Sequence, residues 1–179
     1  MNHLLFVGLG NPGKQFNRTR HNFGIRLLRI WADAKWQPSA KHQAEIATVT
    51  LANTKITCLF PAASMNLSGQ AVASFNHLPE KTLIIHDDIE LPLGDFKIKL
   101  SGSARGHRGV RSIHEALGTQ DIARLLLGVG PVIGLTEEFV LSKFTPGEEE
   151  IIVQLLPRAG KILTEFAQEK SSPHNPTDE

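Results

Sequence analysis

Apolar and polar positions alternate in two rhythms along the chain, and the rhythms change often enough to predict strands interleaved with helices. Leu4–Gly8 is a short apolar run that ends in Gly-Leu-Gly-Asn-Pro-Gly, the pattern of a buried strand entering a tight turn. From Asn22, a candidate N-cap, the residues Phe23, Leu27, Ile30, Trp31 and Ala34 recur at helical spacing, which puts Asp33 inside a first helix. Glu45–Leu51 and Lys55–Phe60 are rich in Val, Ile and Thr, and Ala52-Asn53-Thr54 between them makes a hairpin. A short helix is expected over Ser68–Phe75, then a buried strand over Thr82–Asp87 and an alternating strand over Asp95–Leu100. A Gly, Ser and Arg loop leads to a helix over Arg108–Leu117 and a strand over Arg124–Val129. Thr145-Pro146-Gly147-Glu148 combines a capping box with proline at the first helical position, and Pro157 is expected to kink the helix that follows.

These elements give a fold class: one α/β domain over residues 1–170, its twisted mixed sheet sandwiched between helices. Residues 171–179 form a polar stretch expected to be a disordered tail. The length of 179 residues suits one domain, and 41% hydrophobic with 21% charged residues is the mix of an ordinary soluble protein. The single cysteine, Cys58, excludes an internal disulfide and suits the cytoplasm. Neither a signal peptide nor a membrane span is expected.

Charge adds one feature. The net charge is +1, yet residues 146–179 hold seven acids and three bases, so residues 1–145 carry the opposite excess. Two acid-free stretches hold five bases each: Lys14, Arg18, Arg20, Arg26 and Arg29, then Lys97, Lys99, Arg105, Arg108 and Arg111. Such stretches suit a polyanion such as RNA, or simply a solvated surface.

Gly8-Leu9-Gly10-Asn11-Pro12-Gly13 fits the dinucleotide fingerprint G-x-G-x-x-G. That use needs a helix at once, with free amides for a pyrophosphate, and here a polar stretch runs on to His21. No nucleotide cofactor is expected. There is no G-x-S-x-G, H-E-x-x-H or C-x-x-C. His86, Asp87 and Asp88 could join His21 around a metal, but no pair has ligand spacing on a helix, so no metal is expected. What remains are polar residues at the ends of elements: Asn11, His21, Asn66, Asp87, His107 and Arg108. A histidine oriented by a carboxylate, with asparagine donors, would suit hydrolysis by an activated water; an N-cap or turn role would serve each residue equally well.

Five blocks, in order, resemble the bacterial peptidyl-tRNA hydrolases: Val7–Gly13, Thr19-Arg20-His21-Asn22-Phe23-Gly24, Met65-Asn66-Leu67-Ser68-Gly69, His86–Gly94 and Gly106-His107-Arg108-Gly109. The resemblance implies release of a peptide, or another N-blocked aminoacyl group, from the 3′-terminal ribose of tRNA. It implies His21 as general base and Asp87 as its orienting carboxylate. Asn11, Phe16, Met65, Asn66 and Arg108 fall at substrate-contacting positions, and Lys99, joined by Arg105, is expected on tRNA phosphate. The partner is then peptidyl-tRNA, and a monomer is expected. The chain also departs from the pattern. Arg108 replaces an asparagine, Arg105 a glycine, Phe16 a tyrosine, and Leu126 an arginine of the late strand. These changes keep open a second reading, an RNA-binding relative without turnover.

Overall fold

The computed structural model describes residues 2–171. All but one of the residues expected to form a disordered tail therefore lie outside the described residues. Seven strands lie among the described residues: β1 (Asn2–Gly8), β2 (Gln37–Ser39), β3 (Ala44–Leu51), β4 (Thr54–Pro61), β5 (Thr82–Pro92), β6 (Phe96–Lys99) and β7 (Ala123–Gly130). The α-helices are α1 (Phe23–Ala32), α2 (Ser68–Ala73), α3 (Arg108–Leu117), α4 (Thr136–Leu141) and α5 (Pro146–Glu169).

The strands form one mixed sheet in the order β2-β3-β4-β1-β5-β7-β6. β4, β1, β5 and β7 run parallel at its centre, and β2, β3 and β6 are antiparallel at the flanks. Alternation along β1 feeds two cores. Leu4 and Phe6 pack with Phe23, Leu27, Ile152, Leu155 and Phe166 on the α1 and α5 side. Leu5 and Val7 pack with Val72, Val110 and Ile113 on the α2 and α3 side. Burying both faces of the central strands explains their nearly continuous apolar runs. No helix of the described residues is long and apolar enough to cross a membrane.

The structure extends or corrects the sequence reading at a few points. α1 stops at Ala32 because Asp33 is its C-cap, with a left-handed φ of 40°, so Asp33 and Ala34 lie outside the helix. β5 continues past Asp87 to Pro92, pairing with β7 on its far side. α5 runs as one helix through Pro157. Thr145 accepts from Glu148 N–H while the Glu148 carboxylate accepts from Thr145 N–H, which is the expected capping box. Two elements carried too weak a pattern to predict: β2, three residues long, and α4, six residues long.

Candidate active site

β1 sits between β4 and β5, and all three run in the same direction, so their C-terminal ends open together on one edge of the sheet. Chain direction diverges there: from β1 the strand order moves to β4 on one side and to β5 on the other. Open α/β sheets place their ligand crevices at such points. Asn11 follows β1, Ser64 to Asn66 follow β4, and Asp87 lies on β5 two residues beyond Ile85, the register partner of Gly8.

Glycines on both sides of Asn11 shape the turn: a Cβ on Gly10 would meet Ile25 Cγ2 of α1 at 2.7 Å. Gly13 has a φ of 113°, open to glycine and strained for other residues, and α1 starts only at Phe23. Asn22 does not cap α1 with its side chain. Its Oδ1 accepts from Asn11 N–H at 2.8 Å and its Nδ2 donates to the Asn11 carbonyl at 2.9 Å, which clamps the turn to the entrance of α1. Arg20, 5% exposed, packs over the rings of Phe139 and Phe144. It also makes a two-pronged ion pair with Glu148, 2.7 Å at each oxygen. His21, between these anchors, is held from both sides.

His21 Nδ1 lies 2.9 and 3.0 Å from the two carboxylate oxygens of Asp87. Asp87 is 2% exposed, so a bare carboxylate there needs donors. It has two, because His107 Nε2 also meets Asp87 Oδ1, at 3.0 Å. Burial would raise the Asp87 pKa, but the charges of His21 and His107 and their hydrogen bonds outweigh it and hold the carboxyl below its ordinary range. Burial would lower the His21 pKa; the Asp87 charge and hydrogen bond outweigh that, while Arg108 opposes them, and the net direction is upward. With Nδ1–H donated to Asp87, a neutral His21 carries its lone pair on Nε2.

Asn11 and Asn66 have one end of each amide engaged. Asn11 Oδ1 accepts from Met65 N–H at 3.0 Å, and since a backbone N–H only donates, the Asn11 NH2 is the end left to donate. Asn66 Oδ1 accepts from Ser64 Oγ–H at 2.9 Å, leaving its NH2 likewise. Asn11, His21, Met65, Asn66, Asp87, Arg105, His107 and Arg108 all line one cavity of about 470 Å³. Thus seven of the nine residues expected at the site are brought together. Phe16 and Lys99 are not among those lining it; Phe16 ends a 3-10 turn after Gly13, and Lys99 is on β6 beside Arg124.

Three features escaped the sequence. His107 stood out only as a residue of a Gly-rich loop, not as a second partner of Asp87. α4 supplies one wall of the cavity through Thr136, Glu137, Val140 and Leu141; its start was signalled only by Glu137 and Glu138 in the first turn. Both new arginines face acids on the rim, Arg105 with Glu90 and Arg108 with Glu137 at 3.2 Å. Arg105 has a φ of 48°, which explains why glycine suits that position. His86, buried with Nδ1–H donated to the Asp87 carbonyl at 2.7 Å, has its pKa pushed down by burial, and further by His107, to about 3.

Among the described residues, one set, His21, Asp87 and His107, brings three possible ligand atoms within 4.8 Å. A cation there would have to displace the protons that both imidazoles direct at Asp87. Asp88 is occupied elsewhere, accepting from Glu90 and Leu91 N–H at 2.8 and 3.1 Å.

Fold and site together define a class: an α/β protein with an Asp-oriented histidine and amide donors at the ends of central parallel strands, equipment for general-base hydrolysis. Comparison with known proteins narrows the class. The family model for peptidyl-tRNA hydrolase matches residues 5–176. The peptidyl-tRNA hydrolases of Carboxydothermus hydrogenoformans and Thermodesulfovibrio yellowstonii are 37% and 39% identical, with 90% and 93% of both chains covered. The crystal structure of the Acinetobacter baumannii peptidyl-tRNA hydrolase superposes with a TM-score of 0.87 at 29% identity, covering 94% of this chain and 90% of that one. This chain belongs to the peptidyl-tRNA hydrolase family.

Proposed function

We propose that the chain hydrolyses the ester joining a peptide, or another N-blocked aminoacyl group, to the 3′-terminal ribose of tRNA. The observation that carries the reading is the pair of contacts, 2.9 and 3.0 Å, from His21 Nδ1 to the buried Asp87 carboxylate at the wall of the cavity. His21 Nε2 takes a proton from a water as the water oxygen attacks the ester carbonyl carbon. Asp87 stabilises the imidazolium that forms, and the NH2 groups of Asn11 and Asn66 donate to the developing oxyanion. Collapse of the intermediate breaks the bond to the ribose oxygen, which takes the proton back from His21 Nε2. The products are a peptide carboxylic acid and tRNA with a free terminal hydroxyl.

Met65, anchored in the core on the α2 and α3 side, holds Asn11 through its backbone N–H and lines the cavity, and Arg105 and Arg108 supply positive charge at the rim for the 3′ end of the tRNA. Lys99 acts farther out, on tRNA phosphate, and Phe16, in the turn after Gly13, offers its ring as a stacking face for substrate. The enzyme works in the cytoplasm as a monomer, without metal or nucleotide cofactor. The relatives described above are named for hydrolysis, which weighs against a binder without turnover. The test is deacylation of N-acetyl-aminoacyl-tRNA. Replacing His21 with alanine should lower the rate by about 10²–10⁴-fold with the fold intact, and a near-normal rate in that variant would refute the assignment.

A further inference from the structure

Asp87 accepts from two imidazoles, and the mechanism above uses only one of them. His107 is 8% exposed in its side chain and stands at the N-terminal end of α3, where its Nδ1 accepts from Val110 N–H at 3.3 Å. Accepting that bond requires a bare Nδ1, so the ring proton is on Nε2, pointed at Asp87 Oδ1 3.0 Å away. The same Oδ1 takes the His21 Nδ1–H at 2.9 Å, and the two rings lie 4.8 Å apart, centroid to centroid. α3 therefore reaches the base through a side chain whose tautomer is set by the helix's own first turn.

We propose that His107 is a positioning residue: its Nε2–H fixes the Asp87 carboxylate in orientation and draws part of its charge away from His21, setting how basic His21 is. The inference rests on His21 acting as the base. An undivided carboxylate would hold a proton on His21 more tightly, keeping it in the protonated form that cannot accept a proton from water. A second donor on Oδ1 offsets this without removing the charge that steadies the imidazolium.

Other charged groups face the same space. From β5 these are His86, Asp88 and Glu90; from the loop and α3, Arg105 and Arg108; from α4, Glu137. On the turn of His21 itself, Arg20 is paired with Glu148 of α5. His86 stands edge-on to His107, ring centroids 4.8 Å apart, and is the neighbour whose own surroundings change when His107 is replaced.

Two variants separate the roles of the ring. In His107→Asn a short side chain, favoured as an N-cap, keeps a bond to α3 but cannot reach Asp87. In His107→Gln the amide nitrogen stands where Nε2 stood and can still donate to Asp87. The readout is the titration of His21 by NMR in the full chain without substrate, alongside the acid limb of kcat/KM for N-acetyl-aminoacyl-tRNA. The Asn variant should show the His21 midpoint and the acid limb raised together by roughly 0.5–1 pH unit, and the Gln variant should return them toward the unmodified protein. In the unmodified protein, the ¹⁵N shift of His107 Nδ1 should be that of an unprotonated nitrogen, a check needing no variant. An unmoved His21 midpoint in His107→Asn, a Gln variant displaced as far as the Asn one, or a protonated His107 Nδ1 would each overturn the proposal. Because the NMR titration needs no turnover, absence of hydrolysis by the unmodified protein would refute the function and leave this inference to be decided by the midpoint.

Discussion

Gly24 is where the fold and the chemistry meet most tightly. A Cβ built on it would lie 2.1 Å from the carbonyl oxygen of Ile85 and 2.7 Å from its carbon. Carbon and carbonyl oxygen approach to about 3.3 Å at closest ordinary contact, so alanine here must push the start of α1 from β5 by about 1 Å. Nothing nearby can yield cheaply. The obstructing atoms are backbone, and Ile85 O already accepts from Leu9 N–H while Ile25 N–H donates to Leu9 O, tying α1, the turn and β5 together. Such overpacking costs roughly 1–3 kcal/mol. The functional loss should exceed what stability explains, because His21 precedes Gly24 by three residues and its partner Asp87 follows Ile85 by two. A displacement of about 1 Å takes the 2.9 Å contact beyond useful hydrogen-bond length, and misplacement on that scale costs on the order of 10²-fold in rate. Thermal unfolding and kcat/KM for N-acetyl-aminoacyl-tRNA should both fall in Gly24→Ala. Gly147→Ala, where an added Cβ meets nothing within 4 Å, should leave both in place or raise the melting temperature slightly. A Gly24→Ala protein with unchanged melting and unchanged rate would show that the α1–β5 approach does not position the base.

Three further outcomes are expected. A base at His21 would act only when unprotonated, and the His21 pKa is raised, so kcat/KM should fall on the acid side with a midpoint above that of a free imidazole; in Asp87→Asn that midpoint should drop, with the plateau rate reduced by at least about 10-fold, and an unmoved midpoint would mean that Asp87 does not set the basicity of His21. Excess chelator should leave deacylation undiminished, and activity lost to chelator and restored by one metal would turn His21, Asp87 and His107 into a ligand set. Replacing Arg108 with asparagine should weaken tRNA binding most at low salt and flatten its salt dependence, with little gain in the chemical step, since a guanidinium can hold phosphate by two bonds; a variant that binds as tightly and turns over faster would mean the arginine obstructs the substrate.

Much of the fold was legible because its elements are regular. Strands β1, β3, β4 and β7 carry apolar or β-branched runs bounded by turn residues, and the start of α5 carries a capping box that the structure reproduces. Two misreadings share one cause: a pattern extends only while something packs against it. Ala34 continues the helical spacing of α1, yet Asp33 has already turned the chain. Asp87 looked like a strand end because the apolar run stops there, whereas β5 continues through Asp88 to Pro92 by pairing with β7. The site was legible as a set of residues at element ends. Its contacts were not, since sixty-six positions separate His21 from Asp87 and only the parallel order of β1 and β5 closes that gap.

The substituted periphery shows the same limit in the opposite direction. Sequence exposes Leu126 and Arg108 as departures from the family, and invites the idea that one lost arginine is replaced by another. The structure separates their environments. Leu126 is 2% exposed and sits on β7 in register with His86 and Lys97. Arg124, the arginine that remains on that strand, is 1% exposed and spends its Nη2 on the carbonyls of Ser101 and Gly102. It braces the start of the loop that carries Arg105 and leads to His107. Arg105 and Arg108 are exposed on the rim, each facing a carboxylate that a phosphate could displace. The exposed cations thus stand on the loop and not on the strand, and the loop ends at His107, whose ring meets Asp87. A phosphate engaged by Arg105 or Arg108 would pull on the four consecutive residues, Arg105 to Arg108, that include the His107 ring held against Asp87.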